Sequence, residues 1–286
     1  MIKKRDRKAF VSFFVFLMAL IIIKEFVYPL YVNAESKNFY TDIPQVVIET
    51  KEGINADAYS QATLQILDPS NTSSSFENSI KIKIRGNSTA ELDKKPYNIK
   101  LSSATSLLGM TSGKKYCLIA NMLDKSLIRN KLVYDFSSNL NLEHSVQSRF
   151  VDVWVNGNYQ GNYLMTTPIE VGANRLNISN NDYLLEVEDS RNEEGVTYIN
   201  SPVLGIRFAL NSPEKPVKKD IAEINTSLLN AELAMQQGIF SDICKYIDIP
   251  SFVDFYILEE LFQPVDVALY SSIEFSVKCS LKFQSV

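Results

Sequence analysis

The 286-residue chain is 45% hydrophobic and 22% charged, the composition of a globular protein long enough for one large domain or two lobes. Its formal net charge of −4 argues against a general nucleic-acid binder, because contacts to a phosphate backbone need a clustered cationic surface. Any anion site in this chain is therefore expected to be local.

The start of the chain is predicted to be an export segment that does not belong to the fold. A cluster of five basic residues precedes an uncharged apolar run at residues 9–23. This pattern predicts either a signal peptide cleaved near Ala34 or an uncleaved membrane anchor, and in both cases the rest of the chain is exported. The predicted organisation is a signal peptide or anchor at 1–34, a linker at 35–44 and one domain at 45–286.

The first part of the domain is predicted to be mostly sheet. Its short runs are rich in valine and isoleucine, and turn-forming residues separate them, as is typical of strands. A polar loop is predicted at residues 68–78. The predicted strands are 45–49, 63–67, 80–85 and 97–101.

The later part of the domain is predicted to be helical. Asp124 can cap a helix that ends near residues 139–141, and Asn156-Gly157 supplies the two left-handed residues of a tight hairpin. Sheet first and helices later predict an α+β protein with a strand-rich N-terminal part and a helical C-terminal part. The other predicted elements are a strand at 183–187 and helices at 220–237 and 251–262, the last capped by Ser251.

The stretch at residues 80–101, IKIKIRGNSTAELDKKPYNIKL, is the strongest candidate for a ligand site. Arg85 ends a predicted strand, and Gly86 lets the backbone approach a ligand closely. Arginine can bind two phosphate oxygens at once and lysine supplies a mobile point charge, so a phosphate cradle is one interpretation. A solvated hairpin whose cations face water is the other. The lysines that follow the turn are Lys94, Lys95 and Lys100.

Several carboxylates could serve as a base or a metal ligand, and Asp266 is the most suggestive because it follows Pro264 just past an apolar helix. Glu186 and Glu260 are alternatives. The Walker, GxGxxG and HExxH motifs are absent, which argues against the easily recognised phosphate and zinc classes. The sequence has a single histidine, His144, and no Gly-x-Ser-x-Gly turn that would carry a serine nucleophile, which argues against a serine hydrolase.

Five segments, taken in chain order, closely resemble the CotH family of spore-coat and exported kinase-like proteins. The resemblance covers roughly residues 45–272. The segments are IKIRGNSTAELDKKPYNIKL, SLLGM, CLIANMLDKSLIRNKLVYDFSSNL, SRFVDVWVNGNYQGNYLMTTPIE and DYLLEVED.

The resemblance implies a distant, two-lobed protein-kinase-like fold and an atypical protein kinase. Such a kinase uses ATP with Mg or Mn to phosphorylate serine on coat or cell-surface proteins, outside the cell, at the membrane or at the spore surface. It implies that Arg85, Lys95 and Lys100 bind the nucleotide phosphates. Asp266 is implied as the catalytic and metal-binding carboxylate.

The C-terminal segment departs from the family pattern, which has an Asn-x-Asp element and, further along, Gly-Pro-Val-Trp-Asp-Phe-Asp. Pro264 occupies the asparagine position, and the second element is missing from the sequence. The C-terminal part is therefore expected to be incomplete and phosphoryl transfer to be impaired. The alternative is a non-catalytic exported surface or coat-assembly protein that retains the fold. A carbohydrate-associated surface domain is a third interpretation, which rests only on export and the 11% aromatic content.

Overall fold

The computed structural model describes residues 42–71, 75–86, 88–140, 142, 144–179, 181–188, 192, 194–263, 271–277 and 283–285. The expected export segment and most of the expected linker lie outside this range, as do Pro264 and Asp266. None of the described helices has both the length and the hydropathy needed to cross a bilayer.

Seven strands close into a barrel in the order β1-β2-β3-β4-β5-β7-β6. All neighbours are antiparallel except β1 and β6, whose parallel pairing closes the barrel. Alternate side chains point inward, so that Ile48, Leu64 and Ile82 are wholly buried. The strands are β1 (Gln45–Glu49), β2 (Ser60–Leu67), β3 (Phe76–Ile84), β4 (Tyr97–Thr105), β5 (Gly113–Ile119), β6 (Ser148–Val155) and β7 (Asn158–Thr166).

The four strands predicted for the first part of the domain are confirmed, although β3 begins at Phe76, inside the predicted loop. Strand β5 was not predicted. Because it contains lysines and a cysteine, only Tyr116 and Leu118 indicate a buried face in its sequence. The predicted hairpin between β6 and β7 is confirmed. Asn156 and Gly157 have φ values of 48° and 75° there.

The rest of the described part of the domain combines four helices with a second, antiparallel sheet in the order β12-β11-β8-β10-β9. One face of this sheet packs on helices, with Leu185, Phe208 and Phe275 in contact with Ile224 and Leu228. The helices are α1 (Arg129–Ser137), α2 (Lys218–Gln237), α3 (Phe240–Tyr246) and α4 (Ile249–Phe262). The strands are β8 (Tyr183–Glu188), β9 (Thr197–Asn200), β10 (Arg207–Ser212), β11 (Ser271–Val277) and β12 (Phe283–Ser285).

The predicted α+β class is confirmed, but the predicted helical C-terminal part is wrong in one respect. That part contains a five-stranded sheet, of which only β8 was predicted. Strands β9 and β12 have only four and three residues, and β11 reaches β8 from far along the chain, so local patterns carry little sign of them. The closed barrel is also no clear match to the kinase-like lobe that the resemblance implies.

The helix starts differ from those predicted in two places. Helix α1 begins at Arg129, five residues beyond Asp124. In α4, Ser251 is not the cap. It lies inside the first turn, where its hydroxyl donates to the Asp248 carbonyl at 3.0 Å. Pro250 fits this first turn because the N–H that proline lacks would have no partner there.

Candidate functional site

A cleft of about 350 Å³ opens at the end of the barrel where β3 ends, β4 begins and β5 ends. Its volume falls at the lower end of the range of small-molecule sites, about 300–1,000 Å³. The antiparallel order of the three strands brings three separate chain segments to this end. The lining residues are Arg85, Gly86, Thr89, Leu92, Lys94, Pro96, Ile119, Ala120, Asn121, Met122, Leu123, Asp124 and Asn130.

The turn after β3 forms one wall of the cleft. The Arg85 N–H donates to the Pro96 carbonyl at 3.0 Å, which extends the β3–β4 ladder by one rung. Gly86 follows with φ +87°, and a Cβ at this position would overlap the Thr89 hydroxyl. The turn itself therefore requires glycine at this position, because a larger side chain would overlap Thr89 of the same turn.

The Arg85 side chain brings positive charge into the cleft. It is half-buried, and within the described part of the chain its guanidinium has no hydrogen-bond or ion-pair partner. Burial raises the pKa values of Cys117 and Tyr134, and the charge of Arg85 acts against that rise at both groups. A half-buried guanidinium without a carboxylate favours the binding of an anion.

Lys94 also lines the cleft, but its ammonium group is already engaged. It donates to the carbonyl of Ala120 at 2.8 Å and to the carbonyl of Asn162, and it lies 4.4 Å from the centre of the Tyr163 ring. Burial lowers its pKa. Lys94 therefore ties the end of β5 to β7, and this role was not foreseen from the sequence.

The two other predicted phosphate contacts occupy different places. The Lys95 ammonium donates to the Ala90 carbonyl at 2.9 Å and closes the short 3-10 helix at Ser88–Glu91. Lys100 is exposed on the outer face of β4, about 13 Å along the strand from Pro96. Of the three cations, the structure brings Arg85 into the cleft and Lys95 beside it, and the ligand roles of all three stay predictions.

Asp124 lies at the cleft's edge and caps the entry to α1. One carboxylate oxygen accepts from the Ser126 N–H at 3.0 Å and from the Ser126 hydroxyl at 2.6 Å. The other accepts from the N–H of Arg129, the first residue of α1, at 2.9 Å. These hydrogen bonds, those from Ser126 first, lower the pKa of Asp124. Asp124 therefore accepts a free N–H at the start of α1 as predicted, but the N-cap residue is Ile128 and not Asp124.

A pair of asparagines docks α1 against the cleft. The Asn121 side-chain oxygen accepts from the Asn130 amide at 2.8 Å, and the Asn121 amide donates to the Leu127 carbonyl at 3.1 Å. Asn121 has φ +50°, a conformation that asparagine tolerates better than most residues. Sequence reasoning missed this pair, and the available signal was an asparagine two residues after the end of β5.

The divalent metal implied by the resemblance finds no fitting group in the part of the chain that the structure describes. No cluster of three or more His, Cys, Asp or Glu residues able to hold a metal occurs there, and Asp266 lies outside it. Among the alternatives, Glu186 accepts from the Asn211 amide at 3.0 Å, and Glu260 is hydrogen-bonded to Tyr256. Neither residue lines the cleft.

A family model described as CotH kinase protein matches residues 82–275, more than half of the chain. The chain belongs to the CotH kinase family. The matched span includes the cleft, α1 and most of the second sheet. Family membership supports a kinase-like function, with use of a nucleotide and a metal, in general terms. Among curated proteins, no sequence relative of the chain was found.

Proposed function

We propose that the cleft binds the phosphates of ATP, and that this CotH kinase family member transfers the terminal phosphoryl group to serine on coat or cell-surface proteins. The observation that carries the proposal is the Arg85 guanidinium, which is half-buried at the cleft and has no partner among the described residues. Arginine is suited to this role because its planar fork binds two phosphate oxygens together.

The rest of the cleft offers both polar and apolar groups. Thr89 lines the cleft and its hydroxyl can donate to a phosphate oxygen, while Leu92, Ile119 and Met122 offer apolar contact to a base or sugar. Phosphoryl transfer needs positive charge on the phosphates and a separate group to orient the acceptor hydroxyl. We propose Arg85 for the positive charge and Asp266 for the group that orients the acceptor hydroxyl.

We propose that transfer is slow in this chain, because Pro264 offers no side-chain amide at the position where the family element has asparagine. A nucleotide-binding surface or coat-assembly protein without transfer is the second candidate function. Pro264 at the asparagine position of the family element favours it.

Calorimetry with ATP tests the binding step. Loss of one charged phosphate contact costs about 1.5–3 kcal/mol, so Arg85→Ala is expected to weaken binding roughly tenfold or more. Lys81→Ala is the matched control, and we expect its affinity to equal that of the wild type because Lys81 is exposed on β3 and does not line the cleft. Equal affinities in the wild type and a folded Arg85→Ala variant would contradict the proposal.

Radiolabel transfer from ATP separates the enzyme from the binding protein. We expect weak labelling by the wild type, stronger labelling by Pro264→Asn and none by Asp266→Asn. Labelling that survives Asp266→Asn would exclude Asp266 as the essential carboxylate. If no variant transfers label while ATP still binds, the non-catalytic candidate is correct.

The proposed site of action is outside the cell, because the basic cluster and apolar run at the start of the chain predict translocation of the domain that comes after them. Protease added to intact cells is expected to digest the domain. Complete protection, with the protein recovered from the cytoplasmic fraction, would refute export.

A further inference from the structure

An apolar pocket of about 230 Å³ lies between the second sheet and the helices that pack on it, and it shares no lining residue with the cleft. Three strands line it with buried side chains, Val187 on β8, Phe208 on β10 and Phe275 on β11. Leu204 and Met235 also line it but are 61% and 43% exposed, so the pocket opens to solvent on their side.

Packed aromatic rings hold the wall of this pocket in place. The Phe275 ring stacks on Phe252 of α4 with centroids 5.6 Å apart, and it meets Phe208 edge to face at 6.3 Å. Pairs at these separations stabilise each other beyond the effect of their burial. The pocket is therefore formed before any ligand arrives.

The chemistry of the lining favours an apolar ligand. Glu232 on α2 is the only charged side chain among the described residues that line the pocket, and it is buried. One of its carboxylate oxygens accepts from the Val203 N–H at 2.8 Å and the other from the Leu204 N–H at 3.2 Å. Both oxygens are thus engaged in holding the connection between β9 and β10. A buried water needs two to four polar partners, whereas an apolar cavity stays dry and binds apolar molecules.

We propose that this pocket binds the alkyl chain of an uncharged amphiphile, whose polar group stays in solvent at the mouth beside Leu204 and Met235. A cavity of about 150 Å³ holds one benzene molecule, so by volume this pocket holds roughly nine carbon atoms. It is smaller than most small-molecule sites, which span about 300–1,000 Å³, so it suits a chain end better than a nucleotide. The assignment is independent of the proposed nucleotide site.

Calorimetry of the full chain with straight-chain primary alcohols, from hexanol to dodecanol, tests the pocket. We expect the affinity to rise about fourfold with each added methylene, because each one leaves water for an apolar wall. The rise should stop near nine carbons, when the pocket is full. Absence of binding would overturn the proposal. An affinity that rises evenly through dodecanol would also overturn it, because adsorption to an open apolar surface has no length limit.

Two variants of α2 should move this length limit in opposite directions. Ala231→Leu adds about three carbons to the wall and should shorten the longest accommodated chain by about that number, and Leu228→Ala should lengthen it by about the same. Ala222→Leu makes the same change as the first variant at an exposed position of the same helix, so it should keep the wild-type limit.

Circular dichroism identifies the variants that fold, and either pocket variant alone suffices for the comparison. A wild-type limit in a folded Ala231→Leu or Leu228→Ala protein would overturn the assignment of the alcohols to this pocket. ATP affinity measured on the same proteins should equal that of the wild type, so that failure of this proposal and failure of the nucleotide site are told apart.

Discussion

The Lys94 ammonium nitrogen lies 4.4 Å from the centre of the Tyr163 ring, and the Tyr163 hydroxyl donates to the Lys95 carbonyl at 2.9 Å. These contacts join the segment before β4 to β7, across β5. The Ala120 and Asn162 carbonyls accept from the same ammonium group, so one lysine side chain satisfies two backbone oxygens. The Lys94 ammonium group thus stabilises the base of the cleft by donating to carbonyls of the protein. Contacts to a phosphate are left to other residues.

Lys94→Met is expected to lower the free energy of unfolding by about 2 kcal/mol, because two carbonyls lose a charged donor while much of the side chain's apolar volume is kept. Urea denaturation measures the change. Lys100→Met serves as the control, since Lys100 is exposed on the barrel wall and should stay within about 0.5 kcal/mol of the wild type. Equal losses in both variants would show that the contacts of Lys94 add nothing to stability.

A comparison of Gly86 with Gly109 separates the stability cost of backbone strain from that of steric overlap. Both have positive φ, but a Cβ meets the Thr89 hydroxyl at Gly86 and nothing within 4 Å at Gly109. Gly109→Ala is expected to cost about 1 kcal/mol from the left-handed conformation alone, and Gly86→Ala about 2 kcal/mol because the Thr89 side chain must also leave its rotamer.

A double-mutant cycle identifies the cause of the excess at Gly86. In a Thr89→Ala background the hydroxyl is gone, so Gly86→Ala should cost only about as much as Gly109→Ala, a coupling of about 1 kcal/mol. Thr89→Ser, which keeps the hydroxyl, is the matched comparison. If the cost of Gly86→Ala is the same with and without that hydroxyl, the overlap is not its cause.

Local features of the fold could be predicted because their causes are local. The Asn156-Gly157 hairpin and the alternating runs of β1 to β4 each depend on residues that are neighbours in sequence. Closure of the barrel could not be predicted, because β1 pairs with β6 across more than a hundred residues, with Gln45 opposite Asp152. No periodicity within either strand specifies that partner.

The residues of the candidate site could likewise be predicted from the sequence only where the cause is local. Arg85 could be singled out because a strand, a tight turn and the cations form one continuous stretch. The period-two pattern of β4 also indicates that Lys100 lies on the opposite face from buried Ile99 and Leu101, away from the barrel interior. The role of Lys94 could not be predicted, because its acceptors come from β5 and β7 and exist only in the folded barrel.

The second sheet places two carboxylates face to face, with Glu186 on β8 directly opposite Glu274 on β11. Glu186 accepts a hydrogen bond from the Asn211 amide at 3.0 Å, whereas the buried Oε2 of Glu274 has no hydrogen-bond partner among the described residues. Burial, and then the neighbouring charge of Glu186, raise the pKa of Glu274 to about 8 from its ordinary value of 4.5. Glu274 is therefore neutral in the folded protein over a pH range in which it ionises when unfolded.

A carboxyl whose pKa is raised by folding contributes stability that is fully present below the unfolded pKa and is lost as pH rises through the folded one. The wild type is therefore expected to unfold more easily near pH 8 than near pH 5, by an amount on the order of 3 kcal/mol. Glu274→Gln stays neutral, so it should unfold with a much flatter pH dependence and be the more stable protein at the alkaline end.

Glu49→Gln, at an exposed carboxylate on the barrel, is the control and should keep the wild-type slope. Thermal unfolding measured from pH 5 to pH 8 tests this prediction. If the stabilities of the wild type and Glu274→Gln change with pH in parallel, Glu274 is ionised in the folded sheet and the pair of Glu186 and Glu274 is stabilised in some other way.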